Sequence, residues 1–367
     1  MLRTLMRFLP MAEKIINRKS TLPILSQICV RDGFITATDL ETTVRMKIES
    51  KDHYTIPLTL LKTVLKARPK RLDIARGEGE KITITYDNRR VTFTSLDTDE
   101  FPSTPPGKFK AVGIWSKEVL RKLYEQVACV STDELKPALT GVYLHQNHKL
   151  SSCATDGHVL RWIKNMDPDG ASKLKNDFQG IIPKKSLQLL TRIVKGNVKI
   201  TERKPYLCLK LDKDTDLFIR LIDETYPNYK QVIPSEFSGV VTLNRDALRL
   251  LINDALHFIS IETKTGVFTL NTGEMKISVN NPERKLQWNA SLPITLQTGK
   301  AMTLGMNLHY LDKILKGIDA EEVSWEVTTP ISASILTGVN GKVPDTIHLI
   351  MPVRVKESEE TDGKHDY

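Results

Sequence analysis

The chain has 367 residues, 40% of them apolar, and its 53 Lys and Arg outnumber 44 Asp and Glu to leave a net charge of +9. At roughly 150 residues per domain this excludes a single small module and allows two or three domains, each with its own core. No apolar run reaches the ~18 residues that a membrane span needs, since even HLIMPV at 348–353 stops at Arg354.

The opening MLRTLMRFLPMAEKII is broken by Arg7 and Pro10 and is followed by no small-residue cleavage site, so it reads as an internal helix over 5–16. Its nine residues before Pro10 leave little room for an opening strand. A second helix is predicted over 58–67, from apolar positions spaced at 3.6 residues. Then follow WSKEVLRKLYEQVACV, with Ser116 as N-cap, and IPKKSLQLLTRIV, where Pro183 suits a first helical turn. The last pair is NRDALRLLINDALHF, capped by Asn244, and NLHYLDKILKGI, closed by Gly317. Between the helices lie KITITY, RVTFTSL, LCLKL, GVFTLNT and MKISVN, whose alternation and β-branched content read as half-buried strands. The predicted fold class is α+β.

Two markers recur along the chain. Pro102, Pro227 and Pro352 each follow a bulky apolar residue and stand 125 apart, and Asp39, Asp156 and Asn281 stand 117 and 125 apart within ATDLE, ATDGH and VNNPE. Such a period exceeds a solenoid unit and fits a whole domain copied three times. The predicted domains are 1–106, 107–234 and 235–355, each with two helices, and 356–367 is an acidic tail that reads as disordered. Basic residues exceed acidic ones by 18 to 13 and 22 to 14 in the first two thirds and fall below them, 13 to 17, in the remainder. All six helices carry Lys or Arg, so helices gathered on one side of sheets would offer a polyanion a positive surface.

Cys29, Cys129, Cys153 and Cys208 show no C-x-x-C pairing, which argues against a zinc knuckle or a disulfide framework and fits a reducing cytoplasm. The eight histidines have no H-E-x-x-H spacing, and no phosphate loop or dinucleotide fingerprint is present. No cofactor or metal is expected. An enzyme reading would make Cys153, Asp156 and His158 of CATDGH a nucleophile, acid and base. The repeat opposes it, because the Asp or Asn recurs in ATDLE and VNNPE without cysteine or histidine, as a turn or cap residue would. Asp212, Asp214 and Asp216 in LDKDTD read as a solvated turn.

KSTLPIL at 19–25, ATDLE at 37–41, ATDGH at 154–158, YPNYKQVIP at 226–234, NNPE at 280–283 and MPVRV at 351–355 together resemble the bacterial DNA polymerase III beta subunits, the sliding clamps. The resemblance covers about 8–355, in order. It implies three similar domains of the clamp fold, each with two helices packed on antiparallel sheets, forming half of a head-to-tail homodimeric ring around duplex DNA. It also implies a non-catalytic processivity factor whose partners are double-stranded DNA met without regard to sequence, the polymerase catalytic subunit, an ATP-driven clamp loader and other proteins with clamp-binding motifs. Membrane partners are not expected. By resemblance Arg18, Lys19 and Lys136 contact DNA. A partner-peptide groove would comprise Leu139, Thr155, Gly157, His158, Val159, Leu160, Pro227, Gln231, Val232, Met351, Pro352, Val353, Arg354 and Val355. The dimer contact would use Arg89, Arg90, Val91 and Phe258.

Three departures qualify that pattern. Val159 and Gln231 stand where an arginine is common on the groove rim. Arg284 and Lys285 stand where the family often carries carboxylates for ring closure. The tail after Val355 holds five acids against two lysines, and beside the groove it would screen or compete for it.

Overall fold

The computed structural model describes residues 1–17, 20–105, 107–147, 149–168, 170, 178–298, 301–340 and 345–355. Helix α1 (Leu2–Ile15) forms because Leu5, Phe8, Ala12 and Ile15 repeat at helical spacing and bury one stripe. Pro10 lies within it on the exposed side. The opening strand, for which the sequence leaves little room, does not form: helix begins at Leu2.

The other helices are α2 (Leu58–Lys66), α3 (Lys117–Gln126), α4 (Lys184–Ile193), α5 (Arg245–Ala255) and α6 (Leu308–Lys316). Side-chain caps explain three of their starts. Ser116 Oγ accepts from the Val119 amide at 3.2 Å and Asn244 Oδ1 from Ala247 at 2.9 Å. Asn307, which the sequence reading passed over, accepts from His309 and Tyr310. Pro183 is corrected: it ends strand Gln179–Pro183 at the cap position of α4 and lies outside the first turn. Gly317 does close α6, but with φ −87°, so no left-handed cap is needed.

The chain divides into two compact units. One comprises Met1–Val127, Asp133–Ser152 and Met166–Tyr226; the other comprises Ala128–Thr132, Cys153–Asn165 and Pro227–Tyr367. In the first, an eight-stranded antiparallel sheet runs Tyr54–Pro57, Gln27–Arg31, Phe34–Thr38, Thr42–Lys47, Thr215–Arg220, Tyr206–Lys210, Val198–Arg203, Lys110–Trp115. A three-stranded sheet, Leu72–Arg76, Lys81–Tyr86, Arg89–Thr94, stands apart from it. Helix α1 packs on strand Thr42–Lys47 and beside α2, and α3 lies beside α4.

The eight-stranded sheet joins distant segments where Val44 faces Leu217, and here the LDKDTD reading needs correcting. Asp216 is buried in strand Thr215–Arg220, with Arg45 at 2.9 Å and Lys210 at 2.7 Å. The Arg45 guanidinium also lies over the Phe34 and Phe218 rings. A buried carboxylate is tolerated only when paired in this way. Asp212 bonds Arg7 at 2.8 Å, and only this end of the motif is a turn.

In the second unit one sheet runs Val159–Ile163, Thr346–Ile350, Ser334–Val339, Glu322–Val327, Gly239–Asn244, Thr295–Thr298. A four-stranded sheet runs Leu286–Pro293, Glu274–Asn281, Thr265–Asn271, Met302–Asn307. Helices α5 and α6 pack side by side, and the fully buried Trp325 and Phe268 meet edge to face at 5.4 Å. The strands expected from KITITY, RVTFTSL, LCLKL, GVFTLNT and MKISVN all form.

Candidate partner-peptide and nucleic-acid surfaces

ATDGH folds into a turn through its own side chains. Asp156 Oδ1 accepts from the amides of His158 at 2.9 Å and Val159 at 3.0 Å, while Thr155 Oγ1 accepts from Gly157 and donates to the Val159 carbonyl. Gly157 has φ +94°, a conformation that side chains resist. The same device recurs in the other two motifs. Asp39 Oδ1 accepts from Glu41 and Thr42, and Asn281 Oδ1 from Arg284 while its Nδ2 donates to the Ile259 carbonyl. The recurring Asp or Asn is thus a backbone cap.

Strand Val159–Ile163 leads from this turn and pairs with Thr346–Ile350, Val159 facing Ile350. The chain continues as 351–355, held at both ends: the Met351 amide donates to His158 O and the Val353 amide to Gly305 O, each at 2.8 Å. Gly305 must lack a side chain, since a Cβ there would stand 2.4 Å from Val353 O and 2.5 Å from Val355 Cγ2. The His158 ring stacks on Tyr310 of α6 at 5.9 Å. Burial, with Asp156 nearby, pushes the Tyr310 phenol up to about 12.

The YPNYKQVIP segment joins the same unit through Tyr229, whose buried ring meets Trp162 edge-on at 5.6 Å. Lys164 and Lys230 place their ammonium groups over Trp162 at 5.5 and 5.6 Å. Pro227, Gln231 and Val232 remain exposed. Unit two therefore holds thirteen of the fourteen groove candidates on three neighbouring segments. Leu139, half-buried in the 3-10 turn Pro137–Thr140, belongs to unit one.

Their exposure sorts them. Val232 is 56% exposed and Met351 39%, and Val355 is comparable, so these apolar side chains are available to a ligand. Pro352 and Val353 are half-buried; Gly157, His158 and Arg354 are exposed. Val159 and Leu160 are each only 2% exposed, and their expected place as groove walls is corrected: successive strand residues point to opposite faces, and here both faces are covered. Tyr310 and Gly305 reach this region from a distant stretch of chain, while Trp162, Lys164 and Lys230 lie beside the motif residues and show their contact with one another only in the fold.

CATDGH offers no catalytic geometry. Cys153 is fully buried, and Asp156 Oδ1 is occupied by backbone amides. Burial pushes the thiols of Cys29, Cys129 and Cys208 up to about 11, away from nucleophilic thiolate. Among the described residues no group of three His, Cys, Asp or Glu could hold a metal ion. No helix of the described residues is long and apolar enough to cross a membrane.

Of the DNA candidates, Arg18 and Lys19 lie outside the described residues, as does the 356–367 tail. Lys136 is exposed at the start of turn Pro137–Thr140, with its ammonium 4.0 Å from Asp133. The helix cations are less free than their count suggests. Lys62 pairs with Glu13 at 2.5 Å, Lys185 with Asp39 at 2.6 Å, Arg121 with Glu118 and Glu125, and Arg249 and Lys316 share Asp312. Each pair reduces the positive field a phosphate would meet. Lys66, Arg68 and Lys195 remain exposed at or beyond helix ends.

The dimer candidates fall on sheet edges. Arg89, Arg90 and Val91 begin strand Arg89–Thr94, which among the described residues is paired only on its Lys81–Tyr86 side, with the two arginines exposed. Phe258 follows α5 and stacks on Trp288 of the outer strand Leu286–Pro293 at 6.4 Å.

Helix pairs lying against antiparallel sheets in this order constitute the fold of the DNA sliding clamps. Two solved sliding clamps show it: that of Pseudomonas aeruginosa superposes with TM-score 0.81 at 23% identity over 96% of this chain and 98% of that one, and that of Bacillus subtilis with TM-score 0.82 at 22% identity over 97% and 98%. More particularly, residues 115–228 match the family model of the DNA polymerase III beta subunit, central domain. The beta sliding clamp of Pseudomonas putida is 24% identical over 369 residues, 96% of this chain and 98% of its own, and that of Pseudomonas aeruginosa is 26% identical over 368. The chain resembles the DNA polymerase III beta subunit from end to end, as its motifs indicated.

Proposed function

We propose that this chain is a DNA sliding clamp, a processivity factor that encircles duplex DNA and tethers a replicative polymerase to it. The observation that carries the reading is the end-to-end correspondence with beta sliding clamps in sequence and fold. A closed ring stays on DNA by topology, so its contacts can be weak, and Lys and Arg meeting phosphates carry no sequence information. Arg18, Lys19 and Lys136 are the proposed DNA contacts. The chain acts as a non-catalytic subunit: its Cys–Asp–His string is a capped turn, and without a phosphate loop it relies on a separate ATP-driven loader. Such a role places it in the cytoplasm.

The three-domain organisation 1–106, 107–234 and 235–355 is supported by the recurring Asx caps and by the three helix pairs α1/α2, α3/α4 and α5/α6. The proposed partner site is the surface of Val232, Met351, Val355, Pro227 and His158 within one unit; the candidate Leu139 belongs to the other. It would receive an extended peptide with one or two apolar anchors, from a polymerase, the loader or another clamp-binding protein.

Homodimerisation is the assembly proposed here, and the sheet edges are its candidate contacts. Several outer strands are guarded: Tyr54–Pro57 by bonds between Thr55 and Ser95–Leu96, Gln179–Pro183 by the Ile181–Ile222 bridge, Met302–Asn307 by the Gly305–Val353 bridge, Lys110–Trp115 and Thr295–Thr298 by register shifts. Among the described residues, strands Leu72–Arg76 and Arg89–Thr94 in one unit and Leu286–Pro293 in the other are regular and open, and by resemblance the second and third are the candidates for the dimer contact. Two different edges pairing between copies give a head-to-tail contact, which closes into a ring.

The experiment is retention on DNA. The labelled chain, loaded onto circular and linear duplexes by a clamp loader, should persist on circles and run off linear ends. Equal retention on both forms overturns the proposal.

A further inference from the structure

In two places a strand that leads into a helix pair covers the edge of a sheet. Lys110–Trp115, ahead of α3, pairs antiparallel with Val198–Arg203, which follows α4, and Gly239–Asn244, ahead of α5, pairs antiparallel with Glu322–Val327, which follows α6. The strand that follows α2, Leu72–Arg76, has no such cover. Helix α1 begins at Leu2, and among the described residues Leu72–Arg76 pairs only with Lys81–Tyr86. Burial registers the difference: Val198, Ile200, Val323 and Trp325 are at most 2% exposed, whereas Ile74 is 7% exposed and Leu72 only half-buried.

The backbone bonds show which groups the open edge presents. The Asp87 amide donates to Arg71 O at 3.2 Å and the Gly77 amide to Lys81 O at 2.8 Å, so the odd-numbered residues of this stretch face Lys81–Tyr86. Alternate residues of an antiparallel strand turn the other way, so the N–H and C=O groups of Leu72, Ile74 and Arg76 point outward. The strand pairs without a register shift, and its own backbone does not blunt that edge. Charge gathers at one end. Lys66, Arg68, Lys70 and Arg71 are all exposed ahead of the strand, and none of them forms an ion pair among the described residues. Oδ1 of the neighbouring Asp87 is taken by the backbone amides of Lys70 and Arg71, at 3.0 and 3.1 Å.

We infer that the edge Leu72–Arg76 is a strand-addition site for another protein, and that it receives an extended segment with alternating apolar side chains and acidic residues at its C-terminal end. The alternation is argued from the chain's own covering strands: Gly239–Asn244 buries Val241 and Leu243 in this way. The direction is argued from charge. Leu72 and Val198 stand equally far along the chain from the starts of α2 and α4, and Val198 faces Trp115 at the C-terminal end of its covering strand. A segment added to Leu72–Arg76 in the same register therefore runs out past Leu72 onto Arg71 and Lys70. Main-chain bonds would supply affinity, and the basic corner would fix the direction and select the acidic end. This edge belongs to a different unit from the surface of Val232 and Met351, and the inference does not depend on the sliding-clamp reading.

Fluorescence anisotropy with the full chain tests this, using two labelled peptides: residues 111–115 of this chain followed by two glutamates, and the same residues followed by two lysines. The Glu-ended peptide should bind about fivefold more tightly at low salt, and the preference should shrink as salt rises. Lys70→Gln with Arg71→Gln should narrow it to about twofold. Amide hydrogen exchange then locates the peptide. In the free chain the amides of Leu72, Ile74 and Arg76 should exchange faster than those of Asp73 and Ala75, and saturating peptide should slow the first three by about tenfold while leaving segment 351–355 unchanged. Binding of neither peptide at about 1 mM, equal affinity for both at low salt, or slowing confined to segment 351–355 overturns the inference. So does protection of Leu72, Ile74 and Arg76 in the free chain: if it is independent of protein concentration the molecule covers this edge itself, and if it grows with concentration the edge belongs to a second copy.

Discussion

The turn at Asp156 and the turn at Asn281 are built by one backbone device and loaded with different side chains. In both, a short polar side chain accepts from the backbone ahead of it, Asp156 from the amides two and three residues on and Asn281 from the amide three residues on. After Asp156 come Gly157 and His158, and the chain presents an imidazole on Tyr310 and a carbonyl that receives the Met351 amide. After Asn281 come Pro282, Glu283, Arg284 and Lys285, and the chain presents two cations at the head of an open strand. The cap therefore fixes the backbone, and the residues after it decide which side chains the corner presents: an imidazole stacked on Tyr310 in one, two exposed cations in the other.

The strongest test of this contrast strikes segment 351–355, which the Asp156 corner holds at one end and Gly305 at the other. Gly305→Ala should displace segment 351–355, because the new Cβ would collide with the Val353 carbonyl. Affinity for a peptide with apolar anchors, read by fluorescence polarisation, should fall more than about tenfold, and stability by about 1–3 kcal/mol, the usual cost of overpacking. Unchanged peptide affinity would separate the partner surface from the C-terminal segment.

Removing each cap compares the corners directly. Asp156→Ala and Asn281→Ala should each cost about 1–3 kcal/mol in urea unfolding, since the first strands the His158 and Val159 amides and the second the Arg284 amide and the Ile259 carbonyl. Only Asp156→Ala should weaken peptide binding. Loss of peptide affinity in both variants would show that the corners are coupled and not independent.

The caps were legible in the sequence because they are local: an Asp or Asn and the amides it bonds lie within four residues. Ser116, Asn244 and the six helices were legible for the same reason. What could not be read is what long-range pairing decides. Asp216 looked like a turn residue until the sheet brought Arg45 beside it, 171 positions away. Val159 and Leu160 lie in a motif that resembles groove residues, yet strand Thr346–Ile350 on one side and packing on both faces bury them. Tyr310 and Trp162 gave no local sign of their roles, since a ring on a helix or strand is usually core. The helix cations were countable, but which carboxylate each would meet was not.

A third expectation concerns the sheet behind the peptide corner. His348 faces Arg161 across paired strands, is 2% exposed, and neither ring nitrogen has a hydrogen-bond partner among the described residues. Burial, then the Arg161 charge, hold its pKa well below the usual histidine range. The folded protein thus keeps His348 neutral where the unfolded chain binds a proton. Stability is fully present above the unfolded value near 6.5 and is lost as pH falls below it, by about 1.4 kcal/mol per pH unit for one proton. His348→Leu should flatten that part of the profile in urea titrations between pH 7 and 5. An unchanged slope would assign the acid sensitivity elsewhere.

The smallest effect is expected at Lys136. A phosphate contact normally contributes about one unit to the slope of log affinity against log salt. Lys136 stands 61% exposed, with Asp133 at 4.0 Å and Glu134 close in sequence. Those acids repel the phosphate that the ammonium would attract, and at high exposure the ion pair itself contributes little to stability. Lys136→Ala should therefore leave folding unchanged and reduce affinity for a short duplex by about twofold, with a slope change below one. Asp133→Asn should move affinity the other way, because it frees the ammonium without removing it. If Lys136→Ala costs a full unit of slope, the local acids do not shield this lysine, and turn Pro137–Thr140 is a principal DNA contact.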